Sequence, residues 1–118
     1  MARLTAAFFA AALLRRSDLE GASGMLRRRG AAEAGAVFVK VDRLDGTADL
    51  YGPAPQSLVS DGRGERLFAP VLERAAPADV EERMRREIRF DPDLWFVEIE
   101  DRQGRCFLDL APPDDPER

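Results

Sequence analysis

Apolar and polar residues alternate along two segments of the chain, residues 36–42 and 94–101. Alternation with a period of two is typical of a strand that has one face in the protein core. Shorter runs with strand character lie at residues 24–29 and 65–72. The pattern therefore predicts strands at these places, and it puts Trp95 in the core rather than at an interface.

Two turns predict how the strands pair. Asp45-Gly46 is a strong hairpin signal, because both central positions of a two-residue turn need positive φ. Such a turn places Val41 opposite Leu50, which keeps apolar side chains on one face. A second turn at Gln103-Gly104 leads into residues 105–110, so a second hairpin is predicted there.

Two other segments carry helical signals. The alanine-rich run at 6–14 follows Thr5, which can cap a helix N-terminus, although a short buried strand is the alternative for residues 5–14. The second segment begins at Pro77, a residue favoured in the first turn of a helix. Apolar residues recur there every four positions from Val80 to Ile88, as on the buried face of a helix.

Together these elements predict an α+β fold in the order α-β-β-β-β-α-β-β. We expect an antiparallel sheet built from two hairpins, with two helices packed on one face. At 118 residues the chain fits one domain, taken as residues 1–110, and the acidic residues 111–118 are expected to be frayed. The apolar run before Arg15 is too short to span a bilayer, so no membrane association is predicted.

Four stretches of sequence are distinctive enough to compare with known families. They are RRG at 28–30, AGAVFVKV at 34–41, DGTADLYGPAPQ at 45–56 and RFDPDLWFVEIE at 89–100. These stretches resemble a family of small bacterial proteins known as domain of unknown function fourteen ninety-one. The likeness extends from about Leu4 to Leu108 and implies a compact bacterial cytoplasmic protein of one domain. It implies no activity and no catalytic residue.

The chain contains no histidine and one cysteine, Cys106. Without histidine, a Ser-His-Asp triad and a Cys-His catalytic pair are both excluded. The lack of histidine and the single cysteine also exclude a histidine-ligated or multi-cysteine zinc site. Cys106 is predicted to pack as a small core side chain, and a lone cysteine indicates a reducing cytoplasm. No cofactor is predicted.

Arginines are concentrated near the start of a chain whose net charge is −4. Since arginine can hold phosphate or carboxylate bidentately, the two clusters are candidate anion-binding residues. Charge balance with the acidic C-terminal half is the simpler interpretation, and the acidic net charge argues against a nucleic-acid partner. In a regular strand, the middle arginine of the second cluster would face away from the other two. The clusters consist of Arg15, Arg16, Arg27, Arg28 and Arg29.

The polar face of the first hairpin is a second candidate. The two-residue turn would place Lys40 opposite Tyr51 and Asp42 opposite Asp49. Two opposed carboxylates are unfavourable unless a cation lies between them, so a ligand could bind here. The simpler interpretation is a solvated face on which Lys40 screens both carboxylates.

Carboxylates on the second hairpin form a third candidate. The predicted register places Glu98 opposite Asp109 and Glu100 diagonal to it. Three carboxylates within reach would suit Mg²⁺ or Mn²⁺, which prefer oxygen ligands. An acidic face covered by arginines of the second helix is the simpler interpretation.

The leading functional hypothesis is a non-catalytic interaction or regulatory module that recognises a protein or an anionic group through arginines. The alternative is a carboxylate–metal enzyme that acts on phosphorylated small molecules or nucleotides. The expected partner is a protein or a second copy of the chain, because edge strands of a small sheet need protection and a homodimer supplies it. A phosphate-bearing small molecule is a further possible ligand.

Overall fold

Two helices and five strands follow one another in a computed structural model that describes residues 4–55 and 66–112. The helices are α1 (Ala6–Leu19) and α2 (Pro77–Phe90). The strands are β1 (Ser23–Arg28), β2 (Val37–Asp42), β3 (Ala48–Pro53), β4 (Phe68–Ala75) and β5 (Trp95–Glu100). Residues 113–118, which make up most of the predicted acidic tail, lie outside the described residues.

The strands form one sheet in the order β1-β5-β2-β3-β4. All neighbouring pairs are antiparallel except β2 and β5, which are parallel. Helix α2 makes the parallel pairing possible, because it carries the chain from β4 at one edge of the sheet back to the position beside β2. The first five residues of β2 and of β5 are buried, as expected for strands that are covered on both faces.

The two helices cover opposite faces of the sheet. Helix α1 packs on the face that holds Val39 and Val97, whereas α2 packs on the face that holds Phe38 and Phe96. The predicted α+β class with a mostly antiparallel sheet is confirmed. The prediction that both helices share one face is wrong, because β2 and β5 carry large apolar side chains on both sides and each side needs a cover.

Residues 6–14 are helical, which decides between the two alternatives left by the sequence. The Thr5 Oγ1 atom accepts a hydrogen bond from the backbone N–H of Phe8 at 3.1 Å, as in a regular N-cap. After the helix, Gly21 has a φ of 91° and turns the chain into β1. Within the described ranges no helix combines the length and apolar character needed to cross a membrane.

The predicted second hairpin does not form. Strand β5 is central, so β1 and β2 already occupy both of its edges. After it, the Asp101 carboxylate accepts hydrogen bonds from the Arg105 backbone N–H at 2.8 Å and from its guanidinium at 2.9 Å. The following segment, which contains the half-buried Cys106, instead packs against the core on the α1 face.

The first hairpin turns at the predicted place, but its register differs by one residue. Leu44, Asp45 and Gly46 form a three-residue loop, closed by a hydrogen bond from Arg43 N–H to the Thr47 carbonyl at 3.0 Å. Leu44 and Gly46 both have positive φ. Because successive side chains alternate between faces, the extra loop residue reverses the faces of β3 relative to the predicted two-residue turn.

We expect Gly24→Ala to lower the free energy of unfolding by about 1–3 kcal/mol, since overpacking displaces neighbouring groups. A Cβ atom at Gly24 would lie 2.7 Å from Ser17 Oγ and 2.9 Å from Leu14 Cδ2, where α1 rests on β1. Urea denaturation followed by Trp95 fluorescence measures the change. Ser23→Ala on the exposed neighbour is the control, and an equal loss in both variants would contradict this packing.

Candidate functional site

A β-bulge in β1 determines where the second arginine cluster points. The pairing of β1 with β5 shifts between Leu26 and Arg28, so Arg27 is an additional residue in the strand. Arg27 and Arg28 therefore both line a cleft between β1 and α2. Arg29 lies on the other face, with its guanidinium carbon 5.3 Å from the centroid of the Trp95 ring. The expected alternation, with Arg28 facing away from Arg27, is wrong because a bulge interrupts the period of two.

The cleft between β1 and α2, called here the arginine cleft, has a volume of about 270 Å³. Its apolar side chains come from both helix and sheet, and its charged side chains are three arginines and one glutamate. It is lined by Arg27, Arg28, Glu81, Met84, Arg85, Ile88 and Phe96. A cleft with an apolar base and three cationic side chains favours an anionic group over a neutral one.

Arg27 is held in place by two carboxylates. Its guanidinium donates to both Glu81 oxygens at 2.8 and 3.0 Å and to Glu98 at 2.5 Å. It also lies 4.9 Å from the centroid of the Phe96 ring. The hydrogen bond with Glu81, more than any other contact, raises the pKa of Arg27. Arg27 is thus a fixed and largely neutralised wall of the cleft.

Arg28 has a different environment. Its Nη2 atom donates to the Pro92 carbonyl at 2.7 Å, and its buried Nε has no hydrogen-bond partner within residues 4–55 and 66–112. Among the residues that the structure describes, no carboxylate forms an ion pair with Arg28. A buried donor without an acceptor costs about 1–3 kcal/mol, so this guanidinium would gain from an anion close by.

Arg85 contributes the third guanidinium. It pairs with Glu82 one turn earlier at 2.6 Å, and more than half of each side chain is exposed. Ion pairs of this kind contribute between about 0 and 1 kcal/mol, so Arg85 can turn towards a ligand at little cost. Arg28 and Arg85 together provide the cationic charge that the protein itself does not strongly neutralise.

Beneath α2 the arginine cleft borders a buried ionic network. Lys40 is only 5% exposed, and its Nζ lies 2.7 Å from Glu81 and 3.6 Å from Glu98. The hydrogen bond from Arg27, followed by that from Lys40, lowers the pKa of Glu81 to about 2 despite partial burial. Two cations and two carboxylates therefore balance one another between the sheet and the helix.

Sequence reasoning missed the part played by Glu81. Its spacing to Arg85 is that of a helical ion pair, but its carboxylate turns to the sheet instead. The available signal was that Lys40 and Glu98 occupy strand positions facing a helix, where buried charges need partners. Glu81 lies next to the buried stripe of Val80 and Met84, so it was placed to supply one.

The four polar residues of the first hairpin do not converge. Lys40 lies on the α2 face beside Phe38, whereas Tyr51 belongs to the core on the α1 face. Asp49 accepts hydrogen bonds from Arg43 Nε and from the Arg74 backbone N–H, both at 2.8 Å. Burial, with Cys106 nearby, raises the pKa of Tyr51 to about 12. The expected pairing of Lys40 with Tyr51 is wrong because of the three-residue loop.

Carboxylates do gather at one end of the α2 face, in a different set from the predicted one. The parallel register places Asp42 level with Glu100, and oxygens of Asp42, Glu98 and Glu100 lie within 4.8 Å of one another. Asp109 is in the segment after β5, where its carbonyl accepts a hydrogen bond from Phe68 N–H at 2.9 Å. The predicted register of Glu98 with Asp109 is therefore wrong.

The first arginine cluster is separate from the cleft. Arg15 and Arg16 are exposed on α1, which covers the opposite face of the sheet. Arg16 Nη1 makes a long contact of 3.5 Å with the Phe107 carbonyl. Of the predicted anion-binding residues, the structure brings together Arg27 and Arg28 and adds Arg85.

We expect Glu81→Gln to lower the free energy of unfolding by about 2 kcal/mol near neutral pH, because Lys40 and Arg27 each lose a charged partner. The folded-state pKa of Glu81 lies below the usual 4.5, so its contribution is complete above pH 4.5 and is lost as the pH falls towards 2. Urea titrations across this range should show wild type and variant converging in acid. A difference that stays constant with pH would contradict the assignment, and Glu82→Gln is the exposed control.

Known structures resemble this chain closely. The solution structure of protein Atu0922 from A. tumefaciens is 39% identical over 96% of this chain and 99% of that chain, with a TM-score of 0.82. A crystal structure of a DUF1491 family protein from Caulobacter crescentus CB15 is 39% identical over 94% and 98%, with a TM-score of 0.77. An NMR structure of a DUF1491 family protein from the same organism is 42% identical over 95% and 97%, with a TM-score of 0.74.

The family comparison agrees with the structural one. No curated protein matches the chain. The family described as "Protein of unknown function (DUF1491)" matches residues 4–109, which confirms the resemblance seen in the sequence. This chain therefore belongs to the DUF1491 family, which has structural representatives from bacteria.

Proposed function

We propose that this protein is a non-catalytic binding module that recognises an anionic group of a partner protein in the arginine cleft. The observation that carries the proposal is the bulge in β1, which turns Arg27 and Arg28 to the same side, opposite Arg85. Bulges often redirect side chains at functional positions. A regular strand would have separated these two arginines.

The size of the cleft supports a group rather than a whole metabolite. Small-molecule pockets span roughly 300–1,000 Å³, and the arginine cleft holds about 270 Å³ in an open groove. A phosphoryl or carboxylate group carried by a polypeptide fits this description, with its neighbouring atoms resting on Met84 and Ile88. The ligand class that we favour is therefore a phosphorylated or acidic segment of a protein.

The chemistry of the chain also favours binding over turnover. It contains no histidine, and its only cysteine packs against the core on the α1 face, away from the arginine cleft. Guanidinium groups hold an anion firmly but stay protonated near neutral pH, so they do not serve as general bases. With a single cysteine, we place this interaction in the reducing cytoplasm.

Titration with O-phosphoserine at constant ionic strength tests this proposal. We expect saturable binding, with amide chemical-shift changes at residues 27–30 and 85. The double variant Arg28→Ala/Arg85→Ala should weaken binding at least tenfold, because the two guanidinium groups with the weakest carboxylate pairing are removed. Arg15→Ala/Arg16→Ala removes the same charge from α1 and should bind as wild type does. Equal weakening in both double variants, or no saturable binding, would overturn the proposal.

The alternative is a carboxylate–metal enzyme that acts on phosphorylated small molecules or nucleotides. One observation favours it, namely that carboxylate oxygens of Asp42, Glu98 and Glu100 lie close to one another. Against it, Glu98 is already bound by Arg27 and Lys40, which a divalent cation would have to displace. The arrangement is that of an ionic network more than of a metal cage.

We therefore expect no saturable stabilisation by Mn²⁺ in a thermal-shift titration, because Arg27 and Lys40 compete for Glu98. A ligand that binds the folded state stabilises it by RT ln(1 + [L]/Kd), so specific binding would raise the melting temperature as the Mn²⁺ concentration exceeds Kd. Saturable stabilisation that disappears in both Asp42→Asn and Glu100→Gln would favour the enzyme instead. Asp109→Asn serves as the matched control, since it removes a carboxylate outside this group.

A further inference from the structure

The two edges of the sheet are protected to different degrees. At the β4 edge, Phe68 N–H donates to the Asp109 carbonyl and Ala111 N–H donates to the Phe68 carbonyl, both at 2.9 Å. Pro70 lies on the same strand and cannot donate to a further strand. The segment after β5 thus covers the beginning of this edge, which leaves less of it open to pairing.

The β1 edge has less protection. Over the described residues, no strand pairs with the outer side of β1, which is six residues long. Met25 and Leu26, in the middle of the strand, are 46% and 42% exposed. An edge strand with exposed apolar side chains is a template for pairing with another strand.

Charge differs between the surroundings of the two ends of β1, although no acidic residue lies on the strand itself. Glu20 precedes the strand, and Ser23 at its start lies beside Glu100 of β5. The other end carries the arginines at 27–29. An antiparallel pair of β1 strands places each acidic end beside the basic end of the other copy, whereas a parallel pair would bring like charges together.

We propose that a second copy of this chain docks on β1, so that the two sheets join across a two-fold axis. Such an axis, perpendicular to the sheet, makes the two β1 strands antiparallel, which is the orientation that the charges favour. The bulge at Arg27 interrupts the ladder, so pairing is centred on Met25 and Leu26. Both α2 helices then lie on the same face, and both arginine clefts open to the same side of the joined sheet.

The contact is small, which sets the strength of the dimer. Stable interfaces bury roughly 1,600 Å² in total, and one pair of six-residue strands with two apolar side chains from each copy provides less. A dimer that forms in the micromolar range is the expected result. The apolar centre of this contact lies outside the arginine cleft, because neither Met25 nor Leu26 lines the cleft, whereas Arg27 and Arg28 border both surfaces.

Sedimentation velocity across the micromolar range tests the proposal. Wild type should shift from monomer to dimer, and Met25→Lys/Leu26→Lys should weaken dimerisation at least tenfold, because the introduced lysines of the two copies would repel one another at the centre of the pair. Phe90→Lys/Leu110→Lys adds the same charge at exposed apolar positions on α2 and at the opposite edge of the sheet, and should dimerise as wild type does. A monomeric wild type at high micromolar concentration, or equal dissociation of both double variants, would overturn the proposal.

A second measurement on wild type removes any dependence on how the variants fold. Amide hydrogen exchange at residues 23–26 should slow as the protein concentration rises, while exchange in α1 stays constant. Concentration-independent exchange of these amides would equally overturn the proposal. Titration of the Met25→Lys/Leu26→Lys variant with O-phosphoserine separates the two proposals, since loss of the dimer should leave anion binding in place.

Discussion

A lysine buried beneath a helix must be matched by carboxylates, and Lys40 imposes this constraint on the whole α2 face. An isolated ammonium in the interior costs several kcal/mol. The parallel pairing of β2 with β5 brings Glu98 level with Lys40 on the neighbouring strand. Glu81 supplies the second carboxylate from α2, and Arg27 of β1 balances the additional negative charge. Four separate elements are thus aligned by one buried charge.

This network explains why one arginine of the cleft is paired with carboxylates of the protein while its neighbour is not. Arg27 is bound to Glu81 and Glu98, so its position depends on the seating of α2 over the sheet. Arg28 follows Arg27 past the bulge. Among the described residues, the hydrogen-bond acceptor of its guanidinium is the backbone carbonyl of Pro92. Arg27 therefore fixes the geometry, and Arg28 retains the charge that a ligand could use.

How far the sequence predicts this structure depends on the range of each interaction. Local signals were sufficient for α2, as the stripe from Val80 shows, and for the faces of β2 and β5. For residues 5–14 they left helix and strand open in spite of the Thr5 cap. Alternation identifies which side of a strand is buried but not which strand lies beside it, so the central position of β5 was missed. The loop at Leu44 and the bulge at Arg27 each add one residue to a regular pattern. Neither has a distinctive local sequence, and each changes which side chains meet.

The bulge connects the two surfaces that we propose to be functional. It interrupts the ladder of β1 between Leu26 and Arg28, and it turns two successive arginines towards α2. Without the bulge, the edge of β1 that is open to strand pairing would be longer, and Arg28 would lie on the face that α1 covers. One additional residue therefore separates the half of the strand that we propose to pair with a second copy from the half that we propose to bind an anion.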